Sequence, residues 1–216
     1  HDISMIPIYI FYSMFGFQRV GDLIWAAADM RSKGFLIGGT AGKTTLAGEG
    51  LQHQDGHSHL MASTIPNLKA YDPAYSYEIA VIIHHGLKDM YKWQNNIFYY
   101  LTLENENYIH PKLPSYDITD GIIKGLYCIK SNSKTKKIKV QLLASGPMVN
   151  EIIKAADLLK EDWDIEASIW SVTSYSELHK EAESINRWNN LHPNSTKKVS
   201  FLDKNIKIKN GPVIAI

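Results

Sequence analysis

The chain is predicted to be an α/β protein built on parallel sheet, and three observations carry that prediction. Short apolar runs recur at Phe35-Leu36-Ile37, Leu68–Tyr71, Ile97–Thr102 and Ile165–Val172, each closed by glycine, proline or polar residues in the manner of buried strands. Between them lie longer segments with helical start and stop signals, so strands and helices alternate as parallel βα units require. With 216 residues, 44% of them apolar, and with five Trp and twelve Tyr, there is core enough for one large or two modest domains.

From the amino terminus, Ser4 as a cap, Pro7 in a first turn, Ala26-Ala27-Ala28, and Arg31 and Lys33 before Gly34 predict a helix over 4–33, which Gly16 and Gly21 kink or divide. Phe35-Leu36-Ile37 is the next strand, running into Gly38-Gly39 and a glycine-rich loop, and Leu60–Ile65 reads as a short helix. After the strand Leu68–Tyr71, the pair Asp72-Pro73 predicts a helix reaching Tyr91, followed by the strand Ile97–Thr102. Residues 104–120 carry Asn105, Asn107, Pro111, Pro114 and Ser115 without periodicity and read as a linker, with a domain boundary near residue 115. Beyond it, Gly125–Ile129 and Ile138–Ala144 are predicted to pair as a hairpin. A helix from Ser145-Gly146-Pro147 to Trp163, the strand Ile165–Val172, a helix over Ser176–Asn190 and a strand-like run at Pro212–Ile216 complete the chain.

Charge and cysteine usage exclude several function classes. Lys+Arg 23 against Asp+Glu 22 leaves a net charge of +1, so no basic footprint points to nucleic acid. The apolar run Met5–Phe17 has no basic flank and no small-residue cleavage site, and it falls short of the roughly 20 residues that span a bilayer, so neither signal peptide nor membrane anchor is expected. Cys128 stands alone and can form no internal disulfide, which fits a reducing, cytoplasmic setting. The chain opens on His1 and stops inside an apolar run, as a piece of a longer protein would.

The densest chemistry lies in Gly48-Glu49-Gly50-Leu51-Gln52-His53-Gln54-Asp55-Gly56-His57-Ser58-His59, where three histidines, two acids and three glycines share twelve residues at a strand's carboxyl end. His53, His57 and His59 have spacings that a metal site can use, but flanking glycines and the lack of a ligand helix favour a polar, hydrogen-bonded loop. Gly38-Gly39-Thr40-Ala41-Gly42-Lys43-Thr44-Thr45 resembles a phosphate-binding loop, yet Ile37 stands where that motif needs its first glycine and Gly48 and Gly50 interrupt the helix that should follow. Tyr12, Phe15, Arg19 and Asp22 recur at helical spacing. That pattern suits an amphipathic core helix and equally an aromatic face that stacks on a planar heterocycle. His84-His85, Tyr108, His110, Trp163, Trp170 and Trp188 are read as packing, surface or interface residues.

Longer blocks carry a resemblance. Asp2-Ile3-Ser4-Met5-Ile6-Pro7, Tyr12–Arg19, Gly34–Thr40, Gly48–His53 and Tyr71–Tyr75 closely resemble the homodimeric, bacterial type of pyruvate dehydrogenase, the decarboxylating first component of its complex, and the likeness continues through Val140–Ser145, Ser171–Ser174 and Arg187-Trp188-Asn189. The resemblance implies a transketolase-like thiamine-diphosphate fold of three α/β domains per subunit with sites at a homodimer interface. Residues 1–115 would be the later part of the pyrimidine-binding domain, and 116–216 a linker and the first part of the C-terminal domain. The Gly-Asp-Gly motif that, with a following Asn-Asn, holds magnesium and diphosphate is absent. The Mg2+ ligands and the glutamate that activates the cofactor would therefore lie outside this chain.

Residue by residue, the resemblance implies that Phe15 stacks on the aminopyrimidine, that Tyr12 faces the substrate and that Arg19 orients polar groups around the ring. His53 would meet pyruvate, with Glu49 tuning it, and Asp55 and His59 would lie near the substrate. Gln54 stands where the wider group often has an acid, which removes any acid role at that position. The implied reaction decarboxylates pyruvate and passes the acetyl unit to the lipoyl group of the dihydrolipoyl acetyltransferase component. The alternative is a non-catalytic dimerisation or docking module derived from the same fold.

Overall fold

In the computed structural model, which describes residues 5–41, 50, 53–105, 107–131, 138–207 and 211–216, the apolar run at the start of the chain is a strand where a helix was expected. Ile8–Tyr12 forms β1, and the helix α1 begins only at Ser13 and ends at Asp29. Five consecutive β-branched and aromatic residues prefer a pleated surface, and this outweighs the capping pattern around Pro7. The expected division of the helix does occur: Val20 has φ −128° and ψ 20°, just before Gly21.

The described residues divide into two units, His1–Leu113 and Pro114–Ile216. In the first, α1 is followed by β2 (Phe35–Gly39), α2 (Ser58–Ser63), β3 (Leu68–Tyr71), α3 (Ser76–Leu87), a π-helical turn (Lys88–Lys92) and β4 (Phe98–Thr102). The four strands are parallel in the order β1-β2-β4-β3, with Ile8 beside Phe35, Phe35 beside Tyr99 and Leu68 beside Phe98. All five residues of β4 are buried, as a central parallel strand requires.

Adjacent residues of a strand point to opposite faces, and Tyr99 and Tyr100 show what covers each. Tyr100 meets Phe17 of α1 edge-on at 5.1 Å and donates to Ser58 Oγ of α2 at 2.9 Å. Tyr99 stacks on Tyr71 at 5.9 Å and donates to Asp89 Oδ2 in the π-helical turn at 2.9 Å. Thus α1 and α2 cover one face and the turn after α3 covers the other. Asp72 does not cap α3 as the sequence suggested. It accepts a 2.6 Å bond from Thr102 at the end of β4, while the buried Glu78 takes the backbone N–H groups of Ala74 and Tyr75 and starts the helix later.

The second unit contains α4 (Thr119–Lys124), β5 (Tyr127–Lys130), β6 (Lys139–Ala144), α5 (Met148–Trp163), β7 (Glu166–Ser171), α6 (Tyr175–Leu191), α7 (Phe201–Asn205) and β8 (Val213–Ala215). Its sheet order is β5-β7-β6-β8. The expected hairpin does not form: β7 lies between β5 and β6, antiparallel to the first and parallel to the second. The six-residue β7 buries Ala167, Ile169 and Trp170 and takes the centre, leaving the four-residue β5 an edge. Leu126, Leu143, Trp170, Val172 and Leu178 form the core here, whereas Trp163 is 71% exposed at the end of α5. Among the described residues no helix is long and apolar enough to cross a membrane.

Candidate active site

Because β1 and β2 run parallel, Tyr12 and Gly39 end them at the same edge of the sheet, and the side chains singled out in the sequence meet there. Tyr12 closes β1 with extended backbone and stands just before α1; it is the strand's last residue, not a turn of the helix as its spacing had suggested. Phe15 follows in the first helical turn and is half-buried. Arg19, one turn on, lays its guanidinium over the Phe15 ring with Cζ 4.2 Å from the centroid, a cation–π contact that helical i, i+4 spacing produces directly. Asp22 is exposed and lies beyond the break at Val20, so it leaves this group.

His53 reaches the same place from the loop after β2. Its ring lies 5.1 Å from Phe15 and 6.2 Å from Tyr12, near perpendicular to both, and Tyr12 and Phe15 are 6.0 Å apart. A strand end, a helix start and a loop thus form an aromatic wall carrying one imidazole and one guanidinium. Such a wall can stack a flat heterocycle, and the imidazole can bind a carboxylate or carry a proton. Glu49 lies outside the described residues, as do Gly42 and Lys43 of the run resembling a phosphate-binding loop.

The rest of the histidine loop is held from within the fold. Gln18 of α1 donates its amide to His57 Nε2 at 3.3 Å, and His59 Nε2 lies 2.8 Å from Thr102 Oγ1. Asp55 is buried, and both its oxygens accept bonds inside the loop: from the Ser58 N–H at 2.9 Å, the His57 N–H at 3.2 Å and the Ser58 hydroxyl. The three histidines therefore face separate partners, and among the described residues no His, Cys, Asp and Glu group is arranged to hold a metal.

Sequence reasoning missed Tyr100, Ser58 and Gly38. Burial pushes the Tyr100 phenol far above its ordinary pKa, so it remains a donor to Ser58. Gly38 makes room for it, since a Cβ there would lie 2.4 Å from the Tyr100 hydroxyl oxygen. Asp55 three residues before Ser58 is a helix-start pattern that the sequence did offer.

Comparison with known proteins agrees with this architecture. Residues 1–111 match the family model of the pyruvate dehydrogenase E1 component middle domain, and residues 125–212 match the transketolase-like C-terminal domain. The pyruvate dehydrogenase E1 component of Pseudomonas aeruginosa is 54% identical and that of Cupriavidus necator 52% identical, each across 100% of this chain, which spans 24% of either relative. A transketolase variant from Pichia stipitis shares the fold with a TM-score of 0.67 and 15% identity, over 97% of this chain and 29% of that one. Matched by the E1 family's own domain and along its whole length by E1 components more than half identical to it, the chain belongs to the pyruvate dehydrogenase E1 component family.

Proposed function

We propose that this chain supplies the cofactor-facing and substrate-facing wall of a thiamine-diphosphate-dependent pyruvate dehydrogenase, with the first unit as the later part of its pyrimidine-binding domain and the second as the start of its C-terminal domain. The observation that carries the reading is the convergence of Phe15, Arg19, Tyr12 and His53 at the carboxyl edge of the first sheet. The half-buried Phe15 ring among other rings fits a planar aminopyrimidine, so the residues present suit the cofactor's ring. Among the described residues no acidic and histidine group is arranged to hold its magnesium, which the remainder of the protein would hold together with the diphosphate.

When bound, thiamine diphosphate supplies the carbon nucleophile and the electron sink that loss of carbon dioxide from a 2-keto acid needs. The chain's part is to place and to protonate. Phe15 fixes the plane of the aminopyrimidine, Arg19 steadies Phe15 and orients polar groups beside it, and Tyr12 closes the substrate side. His53 receives the pyruvate carboxylate or carries the proton, with Glu49 tuning it, while Asp55 and His59 support the loop beside the substrate. The acetyl product then passes to the lipoyl group of the dihydrolipoyl acetyltransferase component. A homodimer fits the apolar surface left by β1 and α1, where Ile8 is 61%, Ile10 69% and Leu23 69% exposed.

The test is His53→Ala in the full-length protein. Turnover of pyruvate should fall by about 100-fold or more, the usual yield of a positioned acid–base group, while affinity for thiamine diphosphate stays within about twofold. Unchanged turnover would exclude His53 from the chemistry.

A further inference from the structure

The His53 N–H donates to Gly50 O at 3.1 Å. A longer hydrogen-bond chain begins two residues later and ends in the middle of the sheet. Tyr100 is fully buried in β4, with Phe11 stacked at 6.1 Å and Phe17 edge-on at 5.1 Å, so its ring cannot swing. Its hydroxyl crosses β2 over Gly38, the position at which only a hydrogen fits, and donates to Ser58 Oγ at 2.9 Å. Ser58 is 2% exposed and has one hydroxyl hydrogen, which goes to Asp55 Oδ2. Asp55 in turn gathers the N–H groups of His57 and Ser58 on Oδ1. The chain of donors has one direction, from sheet to hydroxyl to carboxylate, because Tyr100 stays protonated and Asp55 terminates it as an acceptor.

We infer that the Tyr100–Ser58–Asp55 hydrogen-bond chain is a positioning device that transmits the rigidity of the central strand to the His53 turn and sets the imidazole against Phe15 and Tyr12. The inference rests on the proposed role of His53. It gives Asp55 a duty distinct from substrate contact, since its oxygens are already engaged. Each link is buried and directional, and such chains strengthen link by link in a low-dielectric interior. Catalytic geometry tolerates little error, with a displacement of about 1 Å able to cost about 100-fold in rate, so a loop residue needs an anchor of this kind.

The experiment uses full-length protein and five variants: Tyr100→Phe, Ser58→Ala, the double variant of these two, Tyr99→Phe and His53→Ala. Tyr99→Phe removes a matched hydroxyl from the neighbouring residue, whose bond goes to Asp89 on the opposite face. Tyr100→Phe and Ser58→Ala should each lower kcat about tenfold, and the double variant no further, with thiamine diphosphate affinity within about twofold. Before any cofactor is added, the His57 and Ser58 amides should exchange with deuterium faster in Tyr100→Phe and at the native rate in Tyr99→Phe. Native kcat in Tyr100→Phe or in Ser58→Ala overturns the inference, as does an equal loss in Tyr99→Phe. If His53→Ala is inactive while the other four are native, only the positioning chain fails; if His53→Ala is itself fully active, the site reading fails and takes the chain with it.

Discussion

Phe15 offers the sharpest separation of binding from chemistry. Replacing it by alanine removes a half-buried ring that has the Arg19 guanidinium 4.2 Å from its centroid, the His53 ring at 5.1 Å and the Tyr12 ring at 6.0 Å. If one face of this ring carries the aminopyrimidine, the direct loss is one heterocycle–aromatic stack, worth about 1–3 kcal/mol by analogy with base stacking. Arg19 then loses its platform, an exposed cation–π contact worth about 0.5–1 kcal/mol, and its freedom adds to the disorder around the ring. Since about 1.4 kcal/mol is tenfold in affinity, the dissociation constant for thiamine diphosphate should rise about 5- to 150-fold. Calorimetric titration of the full-length protein with thiamine diphosphate at fixed, saturating magnesium measures it. Turnover at saturating cofactor should change far less than in His53→Ala. An affinity within twofold of the native value would refute the stacking role, because no rearrangement of Arg19 can replace a lost ring face.

Two predictions concern the scaffold. Asp89 is buried; burial opposes its charge, but hydrogen bonds from Lys69, Asn95 and Tyr99 and the Lys69 charge outweigh that and hold its pKa below the ordinary carboxylate range. Its stabilisation is therefore present above about pH 4 and lost as pH falls through the depressed value, so Asp89→Asn should cost about 2–3 kcal/mol at pH 7 by urea unfolding of the full-length protein, with the two proteins converging in acid. Gly125 closes α4 at φ +102°, and a Cβ there would lie 2.4 Å from Ser174 O, so Gly125→Ala should destabilise the second unit by about 2 kcal/mol or more; an unchanged unfolding midpoint would contradict this.

What the sequence disclosed follows the range over which each signal acts. β2, β3, β4, α5, β7 and α6 were legible because a local apolar run or a cap defines each, as Ser174 does by accepting the Glu177 N–H at 3.0 Å. The opening strand was misread because helix-start residues flank a segment whose aromatic and β-branched composition decides the matter. The failed hairpin reflects pairing rather than propensity: β5 and β6 are strands, but their partner β7 comes from later in the chain. At the site, the Phe15–Arg19 pair follows from helical spacing, whereas the approach of His53 is a tertiary event for which periodicity has no counterpart, and only the family resemblance foresaw it. The Tyr100–Ser58 bond joins residues 42 apart, and neither residue type announces it.

The two adjacent tyrosines of β4 explain why site and scaffold can be perturbed separately. Both are wholly buried, and each sends one hydroxyl to a carboxylate system, but the strand's alternation assigns them to opposite faces. Tyr99 serves the Asp89 network under the π-helical turn, which is linked to Lys69 and Asn95. Tyr100 serves the loop that carries His53. A single missing oxygen at either position leaves the ring packing in place, but Tyr99 loses a bond to a carboxylate and Tyr100 a bond to a hydroxyl, so Tyr99→Phe should cost at least as much stability as Tyr100→Phe. A loss of turnover confined to Tyr100→Phe must then come from where the hydroxyl points. With the inferred positioning chain, the central strand's alternation would couple its α1 and α2 face to the proposed chemistry and leave its other face to stability.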